Sequence, residues 1–252
     1  MINENKNYSI LIPFVGGGWL GKKDTNYFDR DKFYWLPIDE NDDDISNSTS
    51  SIQEVLSLIK MKYPEEIMSR VKDKRFHFDP ILDSKKASYG EPLDSGKAKR
   101  IINFLIRKSG LAGREDCWKI AEGTNVKIYF GAKFQDYAES KENNGETTGL
   151  YIIGELNVDY IGTRNNLIKE FPFLQSIISR NAHQRRKTKE NFFIFIGKGK
   201  FYKTSYKFAK WNSDTNSFKV LDEFKNGFGP TGRVRTSVHL GKFNRILCDN
   251  CE

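Results

Sequence analysis

The run Phe192-Phe193-Ile194-Phe195-Ile196-Gly197 is the segment that most constrains what this chain can fold into. It is far shorter than the ~18 apolar residues needed to cross a bilayer. It also lacks the polar alternate positions of a strand with one wet face. Such a run is expected to form a strand covered on both faces. Aromatic residues make up 13% of the chain, and their rings pack well on pleated surfaces, so a β-rich structure is expected.

Other strands read from the same logic at Tyr8 to Val15, Phe33 to Ile38 (with Pro37 favouring an edge), Val126 to Phe130 and Leu150 to Val158. The polar stretch 138–148 between the last two suggests a hairpin with a long tip, hence antiparallel pairing. Short strands are also expected near 217–221 and 234–240. Helices are expected from Ser51, a natural N-cap before Ile52, Val55, Leu56 and Ile59, and from Pro64. Another lies where Ala98, Ile101, Ile102, Leu105 and Ile106 line one side, and one is expected over 167–179, interrupted at Pro172. The stretch 83–97, with Tyr89-Gly90-Glu91-Pro92, reads as a loop. The fold class is therefore α+β: a mostly antiparallel, partly closed sheet with packed helices. Residues 1–252 are expected to form one domain, with a possible subdivision near 110–120.

The formal charge is +8, and its distribution matters more than its sum. From Arg180 onward there are sixteen Lys and Arg against six Asp and Glu, while the rest is close to neutral. One electropositive face is the footprint of a polyanion such as DNA, RNA or a nucleotide; solubility charge is the plain alternative. Nothing suggests a membrane partner: no apolar run is long enough, and the first residues are not a secretory signal. Three cysteines form no disulfide framework, so a cytoplasmic setting is expected. Cys248-Asp249-Asn250-Cys251 has metal-ligand spacing but no second pair, and no metal site is assigned to it.

Three constellations carry chemistry. In Arg75-Phe76-His77-Phe78-Asp79-Pro80, strand alternation would turn Arg75, His77 and Asp79 to one face and the two Phe to the other. A carboxylate beside an imidazole can set its tautomer, so His77 and Asp79 are a candidate catalytic acid–base pair and Arg75 a phosphate ligand. A half-exposed strand with a salt bridge would look the same. Around Asn181-Ala182-His183-Gln184-Arg185-Arg186, His183, Arg185 and Arg186 suit phosphate recognition, or a solvated basic loop. Over 198–211 cations alternate with rings. Lys198 and Lys200 are candidate phosphate ligands and Tyr202, Tyr206 and Trp211 candidate stacking partners; a β-hairpin with rings inward would show the same pattern. Arg233 and Arg235 follow a Gly-rich loop that lacks Walker spacing.

Phe76-His77-Phe78-Asp79-Pro80-Ile81-Leu82-Asp83 resembles the His-x-Asp-Pro-Asp-Leu stretch of the nucleotide-modification-associated domain, type three. Gly123 to Gly131, Leu150 to Leu156, Ala182-His183 and Asn191 to Ile194 are similar to its later elements in the same order, with Ile81 replacing an Asp. The resemblance implies a setting of DNA base modification or phage defence. The strand pair at 123–131 and 150–158 is also similar to PUA-like barrels of the EVE and ASCH kind. That likeness implies a cleft lined by Trp118, Tyr129, Phe130, Tyr151 and Glu155, with Trp118 and Tyr129 as base-stacking rings; packing of these aromatics in the core is the plain alternative. The functional expectation is a nucleic-acid or modified-nucleotide binding protein. Its alternatives are an enzyme on nucleotides or DNA bases using His77 and Asp79, and a non-catalytic scaffold.

Overall fold

The apolar run at 192–197 is the start of a strand of 21 residues, Phe192–Asn212, and every residue of the run is buried. The computed structural model describes residues 6–13, 26–29, 32–35, 37–39, 49–60, 62–109, 117–136, 149–185, 192–212, 214–227 and 239–241. In chain order the strands are β1 Lys6–Ile12, β2 Asn26–Asp29, β3 Lys32–Tyr34, β4 Ile38–Asp39, β5 Ser50–Ser51, β6 Arg75–His77 and β7 Ala87–Pro92. They continue as β8 Cys117–Lys119, β9 Thr124–Asp136, β10 Gly149–Thr163, β11 Phe192–Asn212, β12 Ser217–Val220 and β13 His239–Gly241. The helices are α1 Ile52–Ile59, α2 Glu65–Val71, α3 Gly96–Ser109, α4 Arg164–Glu170, α5 Gln175–Ile178 and α6 Ala182–Arg185. The chain is thus α+β. No helix among the described residues is long and apolar enough to cross a membrane.

The chain groups into two compact units, each assembled from separate segments. The first comprises Met1–Lys6, Pro37–Val126 and Leu156–Phe201; the second comprises Asn7–Leu36, Lys127–Glu155 and Tyr202–Glu252. In the first unit β11 pairs antiparallel with β7, setting Ile194 opposite Gly90 and Ile196 opposite Ser88. β10 pairs with β8, and a separate small sheet runs β4-β6-β5. Ile194 and Ile196 pack on Leu167, Leu174 and Ile178, so the helical segment after β10 covers the apolar strand. That contact is what an uninterrupted apolar run requires.

Local sequence explains the helix ends. Ser51 caps α1 by accepting from the Glu54 N–H, while Glu54 reaches back to the Ser51 N–H at 2.7 Å, a reciprocal capping box. Ile52, Val55 and Ile59 are the buried stripe. In α3 the expected face is buried at Ala98, Ile101, Ile102 and Leu105, but Ile106 is exposed. The helix expected over 167–179 begins earlier, at Arg164, and breaks as foreseen at Pro172, which starts a 3-10 turn.

The larger sheet orders its strands β12-β11-β10-β9-β1-β13, with β2 added parallel to β9 and paired with β3. Among the described residues no pairing joins β12 to β13. Two expectations are corrected. The stretch read as a loop at 83–97 contains β7. The alternating segment 198–211 belongs to the single strand β11, not to a hairpin of its own.

Candidate functional site

Strand β6 ends at His77, two residues before Asp79, and Ile81 then pairs with Ser88 of β7. Phe76 and Phe78 are buried in the core, while His77 and Asp79 come together with His183, which sits on α6 some hundred residues later. All of these residues lie within the first unit.

Asn181 joins the two segments. Its side-chain oxygen accepts from the His183 N–H at 3.1 Å, capping the short turn that carries the histidine. Its side-chain nitrogen donates to Asp79 Oδ1 at 2.8 Å and lies 3.3 Å from Ser88 Oγ. The Gly90 N–H faces both Asp79 oxygens at 3.2 Å. Asp79 is thus held by donors from β7 and from the turn before α6, and its side chain is only 3% exposed.

The remaining contacts are the unusual ones. His183 Nε2 lies 3.2 Å from Asp79 Oδ2 and 3.2 Å from His77 Nε2. An imidazole nitrogen presents either one N–H or one lone pair, so a single proton on it serves two neighbours poorly. Three ligand-type atoms, one each from His77, Asp79 and His183, lie within 4.8 Å of one another. His183 Nδ1 is buried and meets no hydrogen-bond partner among the described residues. Burial raises the Asp79 pKa above the usual carboxylate value, opposed by His183, the Gly90 N–H and Asn181. The result is a desolvated centre that can hold a proton or a cation. On the other face of β7, buried Tyr89 donates to Glu91, which Lys97 approaches at 3.5 Å; burial and the Glu91 charge push the Tyr89 hydroxyl pKa well up.

Glycine at 90 is a steric requirement. A Cβ there would stand 2.7 Å from His183 Cδ2 and 2.9 Å from Asn181 Oδ1. Gly90→Ala is expected to displace the His183 ring and lower stability by about 1–3 kcal/mol, read by urea denaturation. An unchanged midpoint would show that the ring has room to yield.

The other anticipated residues are placed differently. Arg75 donates to Thr49, from Nε to Oγ1 at 3.0 Å and from an Nη to the carbonyl at 2.7 Å, so its guanidinium braces β5. Lys198 and Lys200 are exposed on β11, and Lys198 acts electrostatically on Asp159. Trp118 is buried against Phe193, Tyr129 is fully buried, and Tyr202 is buried with its hydroxyl donating to Glu155 at 2.6 Å. Glu155 also pairs with Lys127 at 3.1 Å. Packing and hydrogen bonding account for these three rings, which present no open face for a base. Tyr206 and Trp211 are half-buried, packing edge-on to Tyr202 and Phe218. Arg186, Arg233, Arg235, Cys248 and Cys251 lie outside the described residues, as does the Arg185 side chain. Asn181 and Gly90 were not singled out from the sequence. The signal for Asn181 was its place two residues before His183, where Asn commonly caps a turn.

No family model matches the chain, and neither a curated protein nor a solved structure matches it.

Proposed function

We propose that this chain binds a nucleotide or nucleic acid and performs acid–base chemistry on it at the centre formed by His77, Asp79 and His183. The convergence of these three side chains from remote segments carries the reading. Replacing a buried ionic cluster by apolar residues is often neutral or stabilising, so packing alone gives little reason to keep one. A buried carboxylate with a displaced pKa, aimed at imidazoles and held by fixed donors, is what proton transfer requires.

The identity of the substrate rests on charge and resemblance. The cationic excess after Arg180 and the exposed Lys198 and Lys200 suit a phosphate-bearing partner. Tyr206 and Trp211, in the second unit, are half-buried rings on which a base could stack. The two short elements that resemble the nucleotide-modification-associated domain, at Phe76 to Asp83 and at Ala182-His183, are the two that meet in the centre. A cytoplasmic DNA-modification or phage-defence setting, and a partly closed PUA-like sheet, belong to the same proposal.

The test is a panel of ribo- and deoxynucleotides and single-stranded oligonucleotides, incubated with the chain and followed by mass spectrometry. Product is expected with the natural chain and about 10²- to 10⁴-fold less with His77→Gln. Oligonucleotide binding should weaken steeply between low and physiological salt. Absence of product across the panel, or product that persists undiminished in His77→Gln, overturns the reading.

A further inference from the structure

We infer that His77, Asp79 and His183 together hold one divalent transition-metal ion, bound through the two Nε2 atoms and a carboxylate oxygen. The inference rests on the reading of this centre as the place of reaction, and it names the cofactor that works there.

The geometry carries it. Four-coordinate ions with nitrogen and oxygen ligands at about 2.0–2.1 Å place neighbouring ligand atoms about 3.3 Å apart. The two Nε2 atoms stand 3.2 Å apart, and His183 Nε2 stands 3.2 Å from Asp79 Oδ2. Two imidazole nitrogens 3.2 Å apart can share an N–H···N bond, but His183 Nε2 faces Asp79 Oδ2 at the same distance, and its one N–H or one lone pair serves only one of the two well. A single proton bridges one pair; a dication would draw all three atoms, which lie within 4.8 Å of one another, toward one centre.

The surroundings suit the same role. Ligating carboxylates are usually oriented by further hydrogen bonds. Here the Asn181 amide and the Gly90 N–H hold Asp79 with Oδ2 turned toward His183. Asn181 also caps the turn bearing His183, so one side chain orients two of the three ligands. With the ion on Nε2, the remaining ring proton of His183 would reside on Nδ1, a buried atom that meets no hydrogen-bond partner among the described residues. Two nitrogens and one oxygen favour zinc, iron, cobalt, nickel or manganese over calcium or magnesium, which prefer all-oxygen shells. Three protein ligands among the described residues correspond to a site that leaves a position for water or a substrate oxygen. A water on such an ion would supply the acid–base chemistry at this centre.

The test uses the full chain, freed of metal by chelation and dialysed against Zn²⁺ or Co²⁺ at micromolar concentration. One ion per chain is expected, and Co²⁺ should develop visible absorption of an ion bound by nitrogen and oxygen. His183→Gln and Asp79→Asn should each weaken uptake at least 100-fold. Asn181→Ala, which touches no ion, should weaken it about 10- to 100-fold. Circular dichroism and thermal melting identify any variant that fails to fold; Asp79→Asn is the one expected to keep its fold. The Cys248→Ser/Cys251→Ser double variant should bind as the natural chain does.

No uptake, uptake undiminished in the folded Asp79→Asn chain, or loss of uptake in the cysteine variant overturns the inference. The two readings fail separately. Product formation that depends on His77 but survives chelation sinks the metal and leaves the enzyme. Stoichiometric uptake with no product across the panel leaves the metal and sinks the enzyme.

Discussion

Asp79→Asn is expected to keep the fold, to gain stability over the natural chain near neutral pH, and to lose turnover by about 10²- to 10⁴-fold. Asparagine keeps an oxygen where Asn181 and the Gly90 N–H donate, and its amide can donate to His183 Nε2. What disappears is the negative charge. Burial raises the folded pKa of Asp79 above the ordinary 3.8, so the native state holds the proton more tightly than the unfolded chain. Its contribution to stability is therefore greatest below 3.8 and declines as pH rises through the folded value. This is the reverse of a salt-bridged surface carboxylate. Urea denaturation of the metal-free chain and the variant between pH 4 and 7 isolates the effect as a difference between two curves. The stability of the natural chain should fall relative to Asp79→Asn across that window. Parallel curves would mean that Asp79 does not titrate differently on folding. Turnover retained by the variant would mean that its charge has no part in the chemistry.

Gly197→Ala should be the most destabilising small substitution in the first unit. A Cβ at 197 would stand 1.8 Å from the Asn157 carbonyl oxygen, 2.9 Å from its carbon and 3.0 Å from the Asp159 nitrogen. All three are backbone atoms, so no side-chain rotation relieves the contact, and β10 and β11 must separate locally. That separation would disturb Ile194 and Ile196 against Leu167, Leu174 and Ile178. A loss of about 3 kcal/mol or more is expected, at the upper end of overpacking costs. Gly96 is the control. A Cβ there meets nothing within 4 Å, and Gly96→Ala at the start of α3 should be neutral or stabilising by up to about 1 kcal/mol. Chemical denaturation of both variants checks the pair. A Gly197→Ala midpoint close to that of Gly96→Ala would show that the strands can part without consequence.

Much of the local structure was legible because it depends on neighbours in the chain. The Ser51 and Glu54 cap, the apolar stripe of α3, the break at Pro172 and the burial of 192–197 all follow from residues a few positions apart. Strand β7 was not legible. Ala87–Pro92 has no β-branched residue and carries Gly and Pro, so its own preference is for a loop. Its extended form comes from pairing with β11, which local preference does not reveal. The rings at 118, 129 and 202 show the complementary limit. Alternation reports that successive side chains point to opposite faces, but not which face is covered.

The candidate site divides along the same line. Period-two spacing alone put His77 and Asp79 on a common side, and residue type alone marked that pair for acid–base chemistry and His183 for phosphate recognition. Their meeting was decided by tertiary structure. It depends on the Ile81–Ser88 bridge, on β7 lying in register with β11, and on Asn181 bonding to Asp79 across a gap of 102 residues. Backbone periodicity and capping act within a few residues. The closeness of two imidazoles and a carboxylate is instead set by sheet pairing and core packing between segments that share no local signal.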